Sequence, residues 1–202
     1  MRSIDMGSAR RWAEELHEKL LEAGDTAIDA TMGNGYDTLR LCRLVGAEGH
    51  VYAFDVQPEA LESTAKRLEE AGERTQAELI LAGHQNVAEY VHRPVQLAVF
   101  NLGWLPGVEH AVTTRADTTL QAVSACLHLL APGGLLTVCV YPGHAEGARE
   151  LTALTEWASA LDPLEYDCVI RRYANQPLDP PVLIAVYRAE KKRKPRKEKH
   201  IL

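Results

Sequence analysis

Asp29-Ala30-Thr31-Met32-Gly33-Asn34-Gly35-Tyr36-Asp37 lies between a short apolar run ending at Ile28 and a helical pattern from Thr38 to Val45. A glycine pair between a strand and a helix lets the backbone turn sharply and turns its N–H groups toward a ligand. The stretch therefore reads as the first ligand-binding turn of an α/β domain.

The chain on either side keeps that pattern. Ser8 is placed to cap a first helix, with Trp12, Leu16 and Leu20 at four-residue spacing and Gly24 where a helix ends. Strand patterns recur at Ala27–Thr31, His50–Val56, Glu78–Ala82, Gln96–Asn101 and Leu135–Tyr141. Helical patterns separate them, one opening at Pro58 and closing at Gly72, another running from about Ala116 to Leu130 and stopping at Pro132-Gly133-Gly134. Helical character returns from Glu146 to Leu161. Two late strands, Tyr166–Arg171 and Val182–Tyr187, are joined by Asn175-Gln-Pro-Leu-Asp-Pro-Pro181, whose three prolines exclude a sheet interior. The alternation predicts an open, mostly parallel sheet with helices on both faces, and an antiparallel last strand.

A chain of 202 residues is enough for one domain with a full core. No run approaches the ~20 apolar residues that span a bilayer, and Met1-Arg2-Ser3-Ile4-Asp5 has no apolar signal core. Cys42, Cys126, Cys139 and Cys168 are scattered among apolar neighbours with no Cys-x-x-Cys, which predicts reduced core thiols in a cytoplasmic protein. The eight histidines show no paired ligand spacing, so no metal centre is expected, and there is no Gly-x-Ser-x-Gly elbow for a hydrolase. The net charge of −6 is unevenly spread. Residues 189–202 carry Lys191, Lys192, Arg193, Lys194, Arg196, Lys197 and Lys199 against Glu190 and Glu198 alone. This divides the chain into an acidic domain over 1–188 and a basic, flexible tail over 189–202, with Lys192 and Arg193 as candidate RNA contacts.

In open α/β sheets ligands bind beyond the carboxyl ends of the strands. Those ends hold Gly33, Asn34, Gly35 and Asp37, then Asp55 and Gln57, then Gly83 and His84, then Asn101 and Trp104, and finally Tyr141 and His144. Asp55 ends its strand 20 residues after Gly35, where a carboxylate can accept both hydroxyls of a ribose. A dinucleotide fingerprint asks for a third glycine at the position of Thr38. Asp37 would also repel a pyrophosphate at the helix N-terminus, although it can equally cap its own helix. S-adenosyl-L-methionine carries an ammonium, a sulfonium and no phosphate, and these two residues favour it.

Four separated motifs carry a family resemblance: Asp29–Thr38, Gly49–Gln57, Phe100–Gly107 and Val140–Gly147. Together they resemble the rRNA-methylase family of class I methyltransferases, whose members are assigned as tRNA 5-(aminomethyl)-2-thiouridine methyltransferases acting at the wobble position. The resemblance covers about residues 8–188, and the loop Asn175–Pro181 extends it. Where the family's turn often carries His, this chain has Tyr36. Where the family often has His-Gly-His, it has Pro142-Gly143-His144. The resemblance implies a Rossmann-like class I fold and a tRNA partner, with a homodimer as a further option. It also implies cofactor contacts from Asn34, Asp37, Asp55, Gln57 and His84.

Methyl transfer from a sulfonium is an in-line displacement that depends mainly on positioning the nucleophile. The implied nucleophile is an amine, which attacks only when neutral. Asn101 opens a loop resembling the Asn-Pro-Pro-Tyr element of amino methyltransferases, here in the order Asn-Leu-Gly-Trp. Its amide oxygen would hold the amine and Trp104 would stack on the base. Either Tyr141 or His144, across the cleft mouth, could orient the amine, and a histidine such as His144 is suited to accepting its proton. Three other readings share these residues: a methyltransferase acting on rRNA, protein or a small molecule, a dinucleotide-linked oxidoreductase, and an RNA-binding protein without activity.

Overall fold

The computed structural model describes residues 5–103, 113–177 and 179–194. One sheet of seven strands forms its centre: β1 (Thr26–Asp29), β2 (His50–Asp55), β3 (Ala77–Leu81), β4 (Val95–Asn101), β5 (Leu130–Val140), β6 (Tyr166–Arg171) and β7 (Val182–Arg188). Their spatial order is β3-β2-β1-β4-β5-β7-β6. The first five strands pair in parallel, and β7 runs antiparallel between β5 and β6. The order reverses between β1 and β4, so the loops after these two strands open a crevice at the carboxyl edge.

Period-two alternation sends successive strand residues to opposite faces. Ile28, Ala98, Phe100, Leu136 and Val138 pack on one side with α4 (Val87–Tyr90), α5 (Ala116–Leu129) and α6 (Ala145–Ser159). Ala27, Val51, Leu97, Val99 and Leu135 pack on the other with α1 (Ala9–Leu20), α2 (Tyr36–Val45) and α3 (Pro58–Ala71). Both faces of the central strands are therefore dry, as a parallel sheet requires.

Local signals act as expected at several ends. Ser8 caps α1 by accepting a hydrogen bond from the Arg11 N–H. Pro58 occupies the first turn of α3, and Gly72 closes that helix in a left-handed conformation. Three expectations need correction. The buried face of α1 is Ala9, Trp12, Ala13 and His17, while Leu16 is exposed and the helix ends before Gly24. Helix α5 stops at Leu129, and Pro132-Gly133-Gly134 instead forms an irregularity inside β5, where the pairing moves from Val95–Leu130 to Leu97–Leu135. Cys168 is exposed on β6, an outer strand, while the other three thiols are buried.

The chain beyond β7 turns back along the start of β6. The Ala189 N–H donates to the Glu165 carbonyl at 2.8 Å, and the Arg193 N–H donates to the Leu164 carbonyl at 2.9 Å. The first five residues of the basic segment, 189–193, are thus held against the domain.

Candidate active site

The first element of the site is the glycine turn. Gly35 sits at φ +76°, and a Cβ there would lie 2.7 Å from the Thr64 hydroxyl oxygen and 2.9 Å from its Cα. Both the backbone conformation and the close approach of α3 require glycine at this position. Thr64 in turn donates its hydroxyl hydrogen to the Gly33 carbonyl at 3.0 Å. Strand β2 supplies the other tie. One carboxylate oxygen of Asp55 accepts the Gly33 N–H at 3.1 Å, and the other accepts the Gln57 N–H at 3.0 Å. Asp55 therefore joins the turn to the head of α3, and each oxygen keeps lone-pair capacity for a ligand hydroxyl.

Two adjoining cavities occupy the crevice. The smaller, about 180 Å³, is lined by Asp55, Val56, Gln57, Gly83 and His84 among others. The larger, about 570 Å³, is lined by Arg10, Gly33, Asn34, Tyr36, Asp37, Asn101 and Tyr141 among others. Thr31, Gly103 and Thr114 border both, so the two form one elongated cleft. His84 forms the wall of the smaller lobe, its ring edge-on to Phe100 at 5.8 Å. Burial lowers its pKa, opposed by a hydrogen bond with the Ala30 backbone.

In the larger lobe the decisive contact joins residues from β4 and α2. The Asn101 side-chain amide donates to Asp37 Oδ2 at 2.8 Å. A carboxylate can only accept, so this bond fixes which end of the amide is which. The Asn101 Oδ1 atom is left buried and without a hydrogen-bond partner among the described residues. The Asn101 backbone N–H is held separately by the Thr31 hydroxyl at 2.7 Å. A buried unpaired acceptor at the floor of a cleft is a site for a ligand donor.

Asp37 is supported from behind. Its Oδ1 lies 3.6 Å from Arg10 Nη2 and 3.8 Å from Arg40 Nε. Burial raises its pKa, and the two guanidinium groups oppose that rise. Arg40 is set by His17, whose Nδ1 lies 2.6 Å from Arg40 Nη2. Guanidinium only donates, so His17 Nδ1 accepts and its Nε2–H points to the Thr137 hydroxyl at 2.8 Å. Burial and the charge on Arg40 push the His17 pKa down to about 3, which keeps the ring neutral. Asp37 was expected either to face a cofactor ammonium or to cap α2. It lines the larger lobe, accepts from the Asn101 amide and stands in the first turn of α2.

Behind the turn lies a fully buried carboxyl, Asp29. It accepts from the Thr31 N–H at 3.2 Å and from the Thr38 hydroxyl at 2.7 Å. Burial, aided by Asp37 and Asp55, pushes its pKa up to about 7. The residue that replaces the third glycine, Thr38, thus anchors the end of β1.

The remaining expected residues divide clearly. Tyr141 lines the larger lobe, and burial raises its pKa so that it remains a neutral phenol. His144 borders neither cavity. Its Nδ1 accepts the Gly147 N–H at 3.2 Å and caps α6. Trp104 lies outside the described residues. Lys192 reaches Glu165 at 2.6 Å and Asp162 at 3.3 Å, and Arg193 binds the Asp167 carboxylate with both terminal nitrogens. Both cations are remote from the cleft and already paired. Arg10, Thr31, Tyr36 and Thr114 line the site without having been expected there. Thr31 and Tyr36 belong to the glycine-turn stretch, whereas Arg10 on α1 and Thr114 before α5 reach the cleft only through tertiary packing.

Comparison with known proteins places the chain. Residues 51–187 match the family described as "Putative rRNA methylase". The chain belongs to this family. Its crystal relatives include a family protein from Clostridium thermocellum, 34% identical, with a TM-score of 0.90 over 92% of this chain and 100% of that one. A methyltransferase from Streptococcus mutans in complex with SAH is 35% identical, with a TM-score of 0.83 over 91% of this chain and 99% of that one. The tRNA (mnm(5)s(2)U34)-methyltransferase, chloroplastic, of Arabidopsis thaliana is 38% identical over 188 residues, which is 88% of this chain and 68% of the relative. The chain is a class I methyltransferase. Among the described residues no helix is long and apolar enough to cross a membrane, and no group of residues forms a metal site.

Proposed function

We propose that this chain transfers a methyl group from S-adenosyl-L-methionine to a primary amine on a uridine at the tRNA wobble position. The observation that carries the proposal is the Asn101 side chain, which lines the larger lobe, donates to Asp37 and leaves its buried Oδ1 without a hydrogen-bond partner among the described residues. A neutral amine has N–H donors to give that oxygen and a lone pair to aim elsewhere. The name of the Arabidopsis relative supports the same acceptor.

The cleft fits the methyl donor. The smaller lobe offers the Asp55 carboxylate to ribose hydroxyls, with Val56, Gln57 and His84 around the space for a base. The glycine turn lines the larger lobe, leading toward Asn101. Bound there, S-adenosyl-L-methionine supplies an electrophilic methyl on a positively charged sulfur. The chain's own residues do the rest. Asn101 Oδ1 accepts one amine N–H and so directs the nitrogen lone pair along a single line. Asp37 holds the amide in that orientation, and the neutral Tyr141 hydroxyl, in the same lobe, can make a second hydrogen bond to the amine. Restricting the amine in this way removes the orientational part of the barrier. Trp104 is assigned to stack on the target base, and a proton-accepting role for His144 would require it to leave its capping position. RNA contacts by Lys192 and Arg193 would require exchange of their present carboxylate partners. We assign the cytoplasm as the location, in keeping with four free thiols.

The test is mass spectrometry of nucleosides from tRNA incubated with protein and isotope-labelled S-adenosyl-L-methionine. The expected product is the wobble aminomethyl-thiouridine carrying one labelled methyl on nitrogen. Label in rRNA or protein and none in tRNA would replace this reading.

A further inference from the structure

A residue at the rim of the larger lobe has no part in the chemistry above. Tyr36 opens α2 directly after the glycine turn and is 57% exposed, although it lines the cavity. The Arg67 guanidinium lies over its ring at 3.6 Å from the centroid. Arg67 is fixed in turn, because its Nε–H donates to the Asn34 carbonyl at 2.7 Å. That bond uses Nε and leaves the terminal nitrogens outside it. The tyrosine ring is therefore backed on one face by a cation anchored to the cofactor turn itself. No other aromatic ring stacks on it among the described residues.

An exposed aromatic held rigid beside a reaction cleft is a stacking surface prepared in advance, since little side-chain freedom is lost when a flat ligand settles on it. Every nucleobase has a π-face that suits it, and a stacked arginine adds to such platforms. We propose that Tyr36, backed by Arg67, is the platform for the nucleobase next to the methylated nucleotide in the substrate RNA; this rests on the RNA-methylating reading above. The methylated nucleotide takes the interior, where Asn101 lies on the floor. Tyr36 stands at the mouth and meets a neighbour. The surrounding charge makes stacking the main attraction, because α3 displays Glu59, Glu62, Glu69 and Glu70 to solvent against Lys66, which is itself paired with Glu70. Arg67 adds one phosphate-compatible cation at a point where the acidic surface would otherwise repel the strand.

The experiment measures tRNA binding and steady-state methylation for wild type, Tyr36→Ala, Tyr36→Phe and Tyr36→Trp, with S-adenosyl-L-methionine affinity measured on each. The expected result for Tyr36→Ala is about tenfold weaker tRNA binding and a matching rise in KM for tRNA. Its kcat and cofactor affinity should stay within about twofold. Tyr36→Phe and Tyr36→Trp should bind tRNA as wild type does. Wild-type tRNA affinity in Tyr36→Ala overturns the proposal, and so does a loss that follows cofactor affinity, which would make Tyr36 part of the donor site. If wild type binds tRNA but transfers no methyl group to it, the proposed reaction fails, while the binding ratio still decides the platform.

Discussion

The two lobes of the cleft end in polar residues at strand termini, yet they are built over different ranges of the chain. In the smaller lobe Asp55 binds the Gly33 N–H, 22 residues away, and the Gln57 N–H, two residues away. In the larger lobe Asn101 binds Asp37 across 64 residues and Thr31 across 70, and the support behind it reaches from His17 to Thr137 across 120. The first lobe is shaped by backbone N–H groups and one carboxylate. The second depends on side chains from separate elements: Asn101 is hydrogen-bonded to Asp37, and Arg40, an ion-pair neighbour of Asp37 at 3.8 Å, is hydrogen-bonded to His17, which reaches Thr137. Donor recognition and acceptor positioning should therefore respond to mutation in different kinetic parameters.

The largest separation is expected between Asn101→Ala and Asp55→Ala. Loss of the Asn101 oxygen should lower kcat by about 10²–10³, in the range of losing one oriented polar group in other active sites. Its effect on cofactor affinity should be small. Asp55→Ala should instead weaken cofactor binding by about 10–100-fold, as expected for a hydrogen-bonding carboxylate. Calorimetry with the cofactor and single-turnover methylation measure the two effects. If both variants lose the same parameter, the division between lobes is wrong.

Asp37→Asn probes the Asn101–Asp37 bond itself. The amide now opposite Asn101 can donate or accept, so Asn101 loses its fixed orientation. A fall in kcat of about tenfold is expected, with cofactor affinity nearly unchanged. A larger loss of cofactor affinity than of kcat would return Asp37 to direct cofactor contact.

Gly35→Ala tests the smaller lobe's backbone. A Cβ at φ +76° against Thr64 should cost about 1–3 kcal/mol of stability, read as a lowered Tm, and should weaken cofactor binding by displacing the Gly33 N–H. Unaltered Tm would mean that α3 yields easily.

A last difference concerns pH and stability alone. The folded chain holds a proton on Asp29 up to about 7, whereas an unfolded carboxyl releases it near 3.8. The stability this gives is lost as pH rises between those values. His17 acts in the opposite sense. Its folded pKa is about 3 against 6.5 unfolded, so stability is lost as pH falls through that window. Asp29→Asn keeps the shape without the buried charge. Its Tm relative to wild type should rise from about pH 4 to about pH 8. A constant difference across that range would remove the buried-carboxyl account.

The contrast between lobes also explains what could be read in advance. The glycine turn, Asp55 at the end of β2 and the alternation of strands with helices are short-range patterns, and each restricts backbone conformation within a few residues. The same logic placed Gln57, Gly83 and His84 beside the smaller cavity. Asn101 was legible as a strand-end residue, but its orientation was not, because Asp37 becomes its partner only when β4 lies beside β1. Arg10 carried no such signal, and Tyr36 was legible only as a member of the turn. Their roles depend on α1 crossing to the carboxyl edge and on α3 presenting Arg67.

His144, Cys168 and Leu16 show the same limit. His144 follows strand β5 and precedes α6, and spacing cannot tell a capping imidazole from one aimed into a cleft. Cys168 has apolar neighbours in sequence, yet β6 is an outer strand of the sheet. Leu16 keeps helical period with Trp12, yet α1 turns His17 inward because Arg40 and Thr137 satisfy both ring nitrogens.

By itself, then, the order of amino acids determined the parallel α/β class, the antiparallel final strand, the glycine turn after β1 and the acid that ends β2. These follow from backbone preferences and periodicities that act locally. Tertiary structure alone decided that the amide of Asn101 faces Asp37, that a neutral histidine lies beneath Arg40, and that Tyr36 rests on Arg67 at the mouth of the cleft. Those arrangements pair side chains from separate elements, and their geometry exists only once strand order and helix packing bring the elements together.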